Sequence, residues 1–227
     1  DSMKPKNDFF ESSSDSPVAQ MSDQEFFQAK ATYFGLMTEM DEQLGRIFDY
    51  LKATNQYEST LIVFTSDHGE QLGDHYLFGK LGYFDASYHI PLIIRDPKRQ
   101  LQKVKTLEHF SESVDVMPTI LDWLGLEIPD QCDGRSLLPF LENEVPRNWR
   151  EEVHSEFDFR WIGSYQPMIE ERFGLLPDEC SLVIIRDDDY KYVHMTALPP
   201  LFFDLKRDPG EFINRCLLYT SDAADER

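Results

Sequence analysis

Between Ser22 and Ala53 the large apolar residues Phe26, Tyr33, Met37, Met40, Leu44, Ile47, Phe48 and Leu51 recur at three- and four-residue steps. That spacing lines one face of a helix. The run opens on Ser22-Asp-Gln-Glu25, a capping box in which a hydroxyl and a carboxylate satisfy each other's backbone N–H groups. A long amphipathic helix ending near Ala53 is predicted. The period then changes: Thr60-Leu-Ile-Val-Phe-Thr65 is an unbroken apolar run rich in β-branched and aromatic residues, which fits a strand covered on both faces. Pro91-Leu-Ile-Ile-Arg95 reads as a second buried strand, and Asp115 with Pro118 opens a helix through Ile120, Leu121 and Leu124 to a stop at Gly125. Helices alternating with buried strands build a mainly parallel α/β sheet sandwiched by helices, and this pattern runs to about residue 149.

From Arg150 the pattern is different. Leu182-Val-Ile-Ile-Arg186, an acidic turn at Asp187 to Asp189 and Tyr190-Lys-Tyr-Val-His194 form a hairpin pattern, with Leu201-Phe-Phe-Asp204 as a third strand. A small antiparallel C-terminal subdomain is therefore expected over residues 150–215. Residues 1–21 are polar and Ser-rich and read as a surface loop or disordered segment. Residues 216–227 read as a translated sequencing adapter and are set aside from fold reasoning.

Charge narrows the function. A formal charge of -20 with no basic stripe to offset it would repel phosphate backbones, so nucleic acid is not expected as a partner. An anionic substrate would need locally placed positive charge. Cys132, Cys180 and Cys216 are too few and scattered for a disulfide framework or zinc ribbon, which points to a reducing, cytoplasmic setting. No apolar run reaches the length of a membrane span, and no membrane partner is expected.

The chemistry gathers where the first predicted strand ends. Ser66-Asp67-His68-Gly69-Glu70 follows Thr65 directly, and Lys80 stands thirteen positions after Asp67. Ligands on open α/β sheets collect beyond the carboxyl ends of strands. Neighbouring residues on a strand point to opposite faces, so Asp67 and His68 can share an ion only if the backbone leaves the strand, a bend that Gly69 permits. A carboxylate with an imidazole suits Mn²⁺, Zn²⁺ or Fe²⁺ better than an all-oxygen cage for Ca²⁺ or Mg²⁺. The plain alternative is a polar turn whose His68 is satisfied by hydrogen bonds. Lys80 is either a solvated loop lysine or a cation that clamps a transferred anionic group. Asp74-His75 is a second ligand pair, an orienting partner or a surface loop pair.

At these residues the chain resembles the sulfatase branch of the alkaline phosphatase superfamily, and within it the phosphonate monoester hydrolase and phosphodiesterase group. The matching stretches are Met40 to Arg46, Thr65 to Lys80, His89 to Arg95, Ser113 to Asp122, Cys132 to Leu138, Pro199 to Asp204 and Asp208 to Glu211. The resemblance implies that Asp67 and His68 bind one divalent ion, with Mn²⁺ favoured over Ca²⁺ or Zn²⁺ because many sulfatases place Asn where this chain has His68. It implies that Lys80 contacts the departing ester oxygen or the anionic group of a small anionic ester. Tetramers built with the C-terminal region are common in that group, which makes Phe202 and Phe203 burial or interface positions, with core packing favoured. The family's formylglycine arises from Cys or Ser in a Cys/Ser-x-Pro/Ala-x-Arg signature, and none of the three cysteines has that context. Its other metal aspartates and general-acid histidine lie upstream of the helix at 22–53. The resemblance thus implies the C-terminal part of a longer hydrolase of phosphonate monoesters or phosphodiesters, inactive alone. An arylsulfatase, or a non-catalytic binding module on the same fold, is the other reading.

Overall fold

A computed structural model describes residues 20–80, 82–99, 106–160 and 174–216. The polar start of the chain (residues 1–19), the adapter-like residues 217–227 and the segment 161–173 lie outside the described residues. Two compact units divide between residues 104 and 105.

In the first unit, helix α1 spans Asp23–Ala53. Its start is the predicted capping box: the Ser22 hydroxyl accepts from the Glu25 N–H and the Glu25 carboxylate accepts from the Ser22 N–H at 2.9 Å. Strand β1 (Ile62–Thr65) follows, then a long connection holding the one-turn helix α2 (Asp85–Tyr88), then β2 (Leu92–Arg95). β1 and β2 pair antiparallel, with Ile62 opposite Arg95 and Thr65 opposite Leu92. The sequence pattern predicted parallel pairing, which needs a crossover helix of a dozen or more residues between strands. The connection from 66 to 91 is instead spent on the loop described below, so the chain returns alongside β1 in the opposite sense. Neither strand is covered on both faces: β1 is half-buried and Ile93 of β2 is 61% exposed.

Arg95 fastens β2 to the turn ahead of β1. Its guanidinium lies 3.8 Å from the centre of the Tyr57 ring, donates to the Tyr57 carbonyl at 2.7 Å and pairs with Glu58 at 3.1 Å. Tyr83 and Phe84, ring centres 4.5 Å apart, are the buried aromatic anchor beneath the connection.

In the second unit, α3 (Val116–Leu124) ends on Gly125 at φ +69, the left-handed cap that the predicted stop requires. A one-turn helix α4 (Leu138–Leu141) and strands β3 (Val153–Asp158), β4 (Ser181–Arg186), β5 (Tyr190–Met195) and β6 (Leu201–Asp204) follow. The strands form an antiparallel sheet in the order β3-β4-β5-β6. The predicted hairpin and third strand are β4, β5 and β6, and β3 is an addition. Leu182, Ile184, Val193, Met195, Leu201 and Phe203 point inward as period-2 alternation demands. Register places Leu182 opposite Met195 and Ile184 opposite Val193. Phe203 is buried, while Phe202 stacks on Tyr190 with ring centres 5.4 Å apart.

Asp115 does more than open a helix. Fully buried, its carboxylate takes both guanidinium nitrogens of Arg150 and the backbone N–H groups of Glu112 and Arg135, the last two at 2.8 Å. Arg150 also pairs with Glu112 at 3.2 Å, and the bond to Asp115 holds its guanidinium pKa above the ordinary value. α3 has no side-chain cap because this carboxylate is used elsewhere.

Candidate metal centre

Strand β1 stops at Thr65 because the next residues bond locally instead of across a ladder. The Ser66 hydroxyl donates to the His68 carbonyl at 2.7 Å, and the His68 N–H donates to Asp67 Oδ1 at 3.0 Å. This tight turn takes Asp67 and His68 off the strand's alternation and brings both side chains to one side. Asp67 Oδ2 and His68 Nε2 stand 3.6 Å apart, the carboxylate 82% exposed and the imidazole 36%.

Two donors bonded to one ion at 2.0–2.2 Å lie roughly 3.0–3.5 Å from each other, so the observed spacing needs little adjustment to share a cation. The ring is also set correctly. His68 Nδ1 lies 2.8 Å from the Gly69 carbonyl, which can only accept, so in the neutral ring Nδ1 carries the proton and Nε2 keeps its lone pair facing Asp67. Partial desolvation alone would raise the Asp67 carboxyl, but His68, the backbone N–H groups of Asp67 and His68, and the charge of Lys80 outweigh it and hold it below the ordinary carboxylate value. The residues therefore fit a divalent cation as two of its ligands. Among the described residues no cluster of three or more His, Cys, Asp or Glu could hold a metal ion, so an ion held by Asp67 and His68 would need further ligands.

Gly69 works differently from the expected bend. Its φ is not left-handed. A β-carbon there would lie 2.0 Å from the Ala86 carbonyl oxygen, and the Gly69 N–H donates to the Ser87 carbonyl at 2.9 Å. Glycine is required because the backbone of α2 presses against the turn.

Lys80 is exposed, at the end of a loop that doubles back on itself. Glu70 Oε1 accepts from the Gly79 N–H at 2.6 Å and from the Leu72 N–H at 3.1 Å, and the Gln71 N–H donates to the Gly79 carbonyl at 2.9 Å. Buried Gln71 donates from Nε2 to Ser87 Oγ at 2.7 Å. The interior of the loop holds Leu72, His75 and Tyr76 at φ between 50 and 59. Such conformations cost on the order of 1–3 kcal/mol each for residues with a side chain, so the loop keeps its shape only because its base is tied. His75 stacks on Phe84 with ring centres 3.6 Å apart, and Asp74 is exposed. That pair does not join Asp67 and His68 in a metal cluster. The sequence reading missed the part played by Glu70; its one available signal was an acidic residue flanking the Asp67-His68 turn. An open hollow of about 830 Å³ lies beside the loop, bounded in part by Tyr33 and Leu36 of α1 and by Leu72 and Phe78.

The family profile described as "Sulfatase" matches residues 4–126, and "N-sulphoglucosamine sulphohydrolase, C-terminal" matches residues 73–225. The multifunctional alkaline phosphatase superfamily protein PehA of Trinickia caryophylli is 57% identical over 196 residues, covering 86% of this chain and 38% of PehA. The phosphonate monoester hydrolase of Agrobacterium radiobacter superposes with a TM-score of 0.79 at 43% identity, over 91% of this chain and 40% of that one. The phosphonate monoester hydrolase SpPMH of Silicibacter pomeroyi gives a TM-score of 0.78 at 45% identity, over 85% and 38% respectively. The chain thus spans about two fifths of the length of these relatives, with which it shares a mixed α/β fold.

Proposed function

Since the chain belongs to the sulfatase family of the alkaline phosphatase superfamily, we propose that it supplies part of the metal site, and a substrate-contacting lysine, of a hydrolase of phosphonate monoesters and phosphodiesters. The likeness to PehA and to two phosphonate monoester hydrolases supports the substrate class. One observation carries the site: Asp67 Oδ2 and His68 Nε2 converge 3.6 Å apart, with His68 Nδ1 2.8 Å from the Gly69 carbonyl. The carboxylate with the imidazole favours Mn²⁺ over Ca²⁺. When bound, such an ion polarises a phosphoryl oxygen and offsets the charge that builds on it.

The residues of this chain divide the remaining work. Asp67 and His68 hold their side of the ion. Lys80, close enough for its charge to act on Asp67, offsets charge on the departing ester oxygen. The attacking group, a formylglycine in this proposal, and the remaining ligands come from the family's residues beyond this chain. A mainly parallel sheet completed by those residues would receive β1 as a covered strand. In a polypeptide extended to the length of its relatives, Asp67→Ala is expected to remove bound metal and hydrolysis together. Normal metal stoichiometry with near-normal turnover in that variant would defeat the proposal. Sulfate esters are the second reading, supported by the match of residues 73–225 to a sulphohydrolase C-terminal profile. Paired assays on a phosphonate monoester, a phosphodiester and a sulfate ester of the same phenol decide between them.

A further inference from the structure

We infer that Glu70 is a positioning residue for Lys80: its carboxylate clamps the Phe78-Gly79-Lys80 arm of the loop to the turn that carries Asp67 and His68. The inference rests on the roles proposed above for those three residues. Lys80 has a long flexible side chain, and where its ammonium can reach depends on where its backbone is held. The residue before it is held at both backbone polar groups. Its Gly79 N–H reaches Glu70 Oε1 at 2.6 Å and its Gly79 carbonyl accepts from the Gln71 N–H at 2.9 Å. Gly79 itself sits at φ +80, a conformation that glycine adopts readily.

The other side of the clamp is anchored as well. Glu70 follows Gly69, which is bonded to Ser87 and has no room for a β-carbon, and Gln71 is buried against the Ser87 hydroxyl. Glu70 therefore joins two arms of one loop, the ligand turn and the lysine arm, across nine positions of sequence. The same oxygen also accepts from the Leu72 N–H at 3.1 Å, so it is occupied by two backbone donors. A carboxylate oxygen used in this way orients neighbouring groups and is not a third metal ligand.

The test has two arms. In the 227-residue chain, amide hydrogen exchange is measured for Glu70→Ala and Glu70→Gln. Glu70→Ala is expected to speed exchange at Gly79 at least about tenfold, with β4 and β5 unchanged, whereas Glu70→Gln, whose amide oxygen still accepts both N–H groups, keeps the protection. Glu70→Asp, which withdraws the carboxylate by one methylene, gives the same reading where the alanine variant does not fold. Unchanged exchange at Gly79 in both Glu70→Ala and Glu70→Asp overturns the clamp. In the form extended to the length of its relatives, Glu70→Ala is expected to keep its Mn²⁺ content and KM while kcat falls by up to about 100-fold. Its rate should depend on the leaving group's pKa as steeply as that of Lys80→Ala, and the double variant should be no slower than Lys80→Ala alone. Additive losses, or lost Mn²⁺ in Glu70→Ala, overturn the inference. Wild-type turnover in Lys80→Ala would instead remove the proposed role of Lys80 and the catalytic half of this inference with it, leaving exchange at Gly79 to decide whether Glu70 holds the arm.

Discussion

At Gly69 a single hydrogen atom decides whether the ligand turn can form. A methyl group there meets the Ala86 carbonyl oxygen at 2.0 Å, and that oxygen belongs to backbone which cannot swing aside. Gly69→Ala is expected to destabilise the first unit by about 1–3 kcal/mol, as overpacking does, which urea denaturation would read. Asp115 is the corresponding residue of the second unit. Removing one partner of a buried ion pair leaves the other charge uncompensated, so Asp115→Ala should cost about 3–5 kcal/mol, measured as a fall in the denaturation midpoint at unchanged slope. Both residues stand in stretches that the sequence reading singled out, but for other reasons. Gly69 was read for backbone freedom and Asp115 for helix initiation, because sequence shows a residue's intrinsic preferences and not what presses on it from positions 86 or 150.

Helix α1 shows how far a hydrophobic pattern determines an element. Its ends, its length and its capping box follow from local bonding between Ser22 and Glu25 and from the three- and four-residue spacing. Burial does not follow. Phe26, Tyr33, Leu44, Phe48 and Leu51 are half-buried, but none of the 31 residues is fully buried, and Phe34, Met37, Met40 and Ile47 are exposed. Replacing Phe34, Met37 and Ile47 by Gln in the 227-residue chain is therefore expected to change stability by no more than about 0.5 kcal/mol per site while reducing self-association, checked by thermal melting and light scattering. In β4, β5 and β6 pattern and burial agree, because antiparallel neighbours joined by short turns bury one face without help from distant sequence. Lys191 is the exception on that inner face, 1% exposed and neutralised by the carboxylate of Glu211. Strand alternation places it inward, and only the tertiary fold supplies its partner.

For the molecule as a whole, the proposed ligand pair of Asp67 and His68 should bind a cation weakly. At a Mn²⁺ concentration equal to its dissociation constant, linkage adds only about 0.4 kcal/mol, so millimolar Mn²⁺ should barely move the melting temperature of the 227-residue chain. The form extended to its relatives' length should gain several degrees, and a chelator should reverse it; a large shift in the shorter chain would mean that Asp67 and His68 have ligands beyond those proposed. Among the described residues no helix is long and apolar enough to cross a membrane. What the amino-acid sequence alone determined is local: the caps and ends of α1 and α3, the hairpin of β4 and β5, and the strand-end position of Asp67 and His68, all set by bonds and spacings within a few residues. What only the tertiary structure decided is non-local. The antiparallel meeting of β1 and β2, the pressure of Ala86 on Gly69 and the tie from Glu70 to Gly79 arise because a 26-residue connection folds back on the strand it leaves, and no sequence period records which backbone groups such a loop brings together.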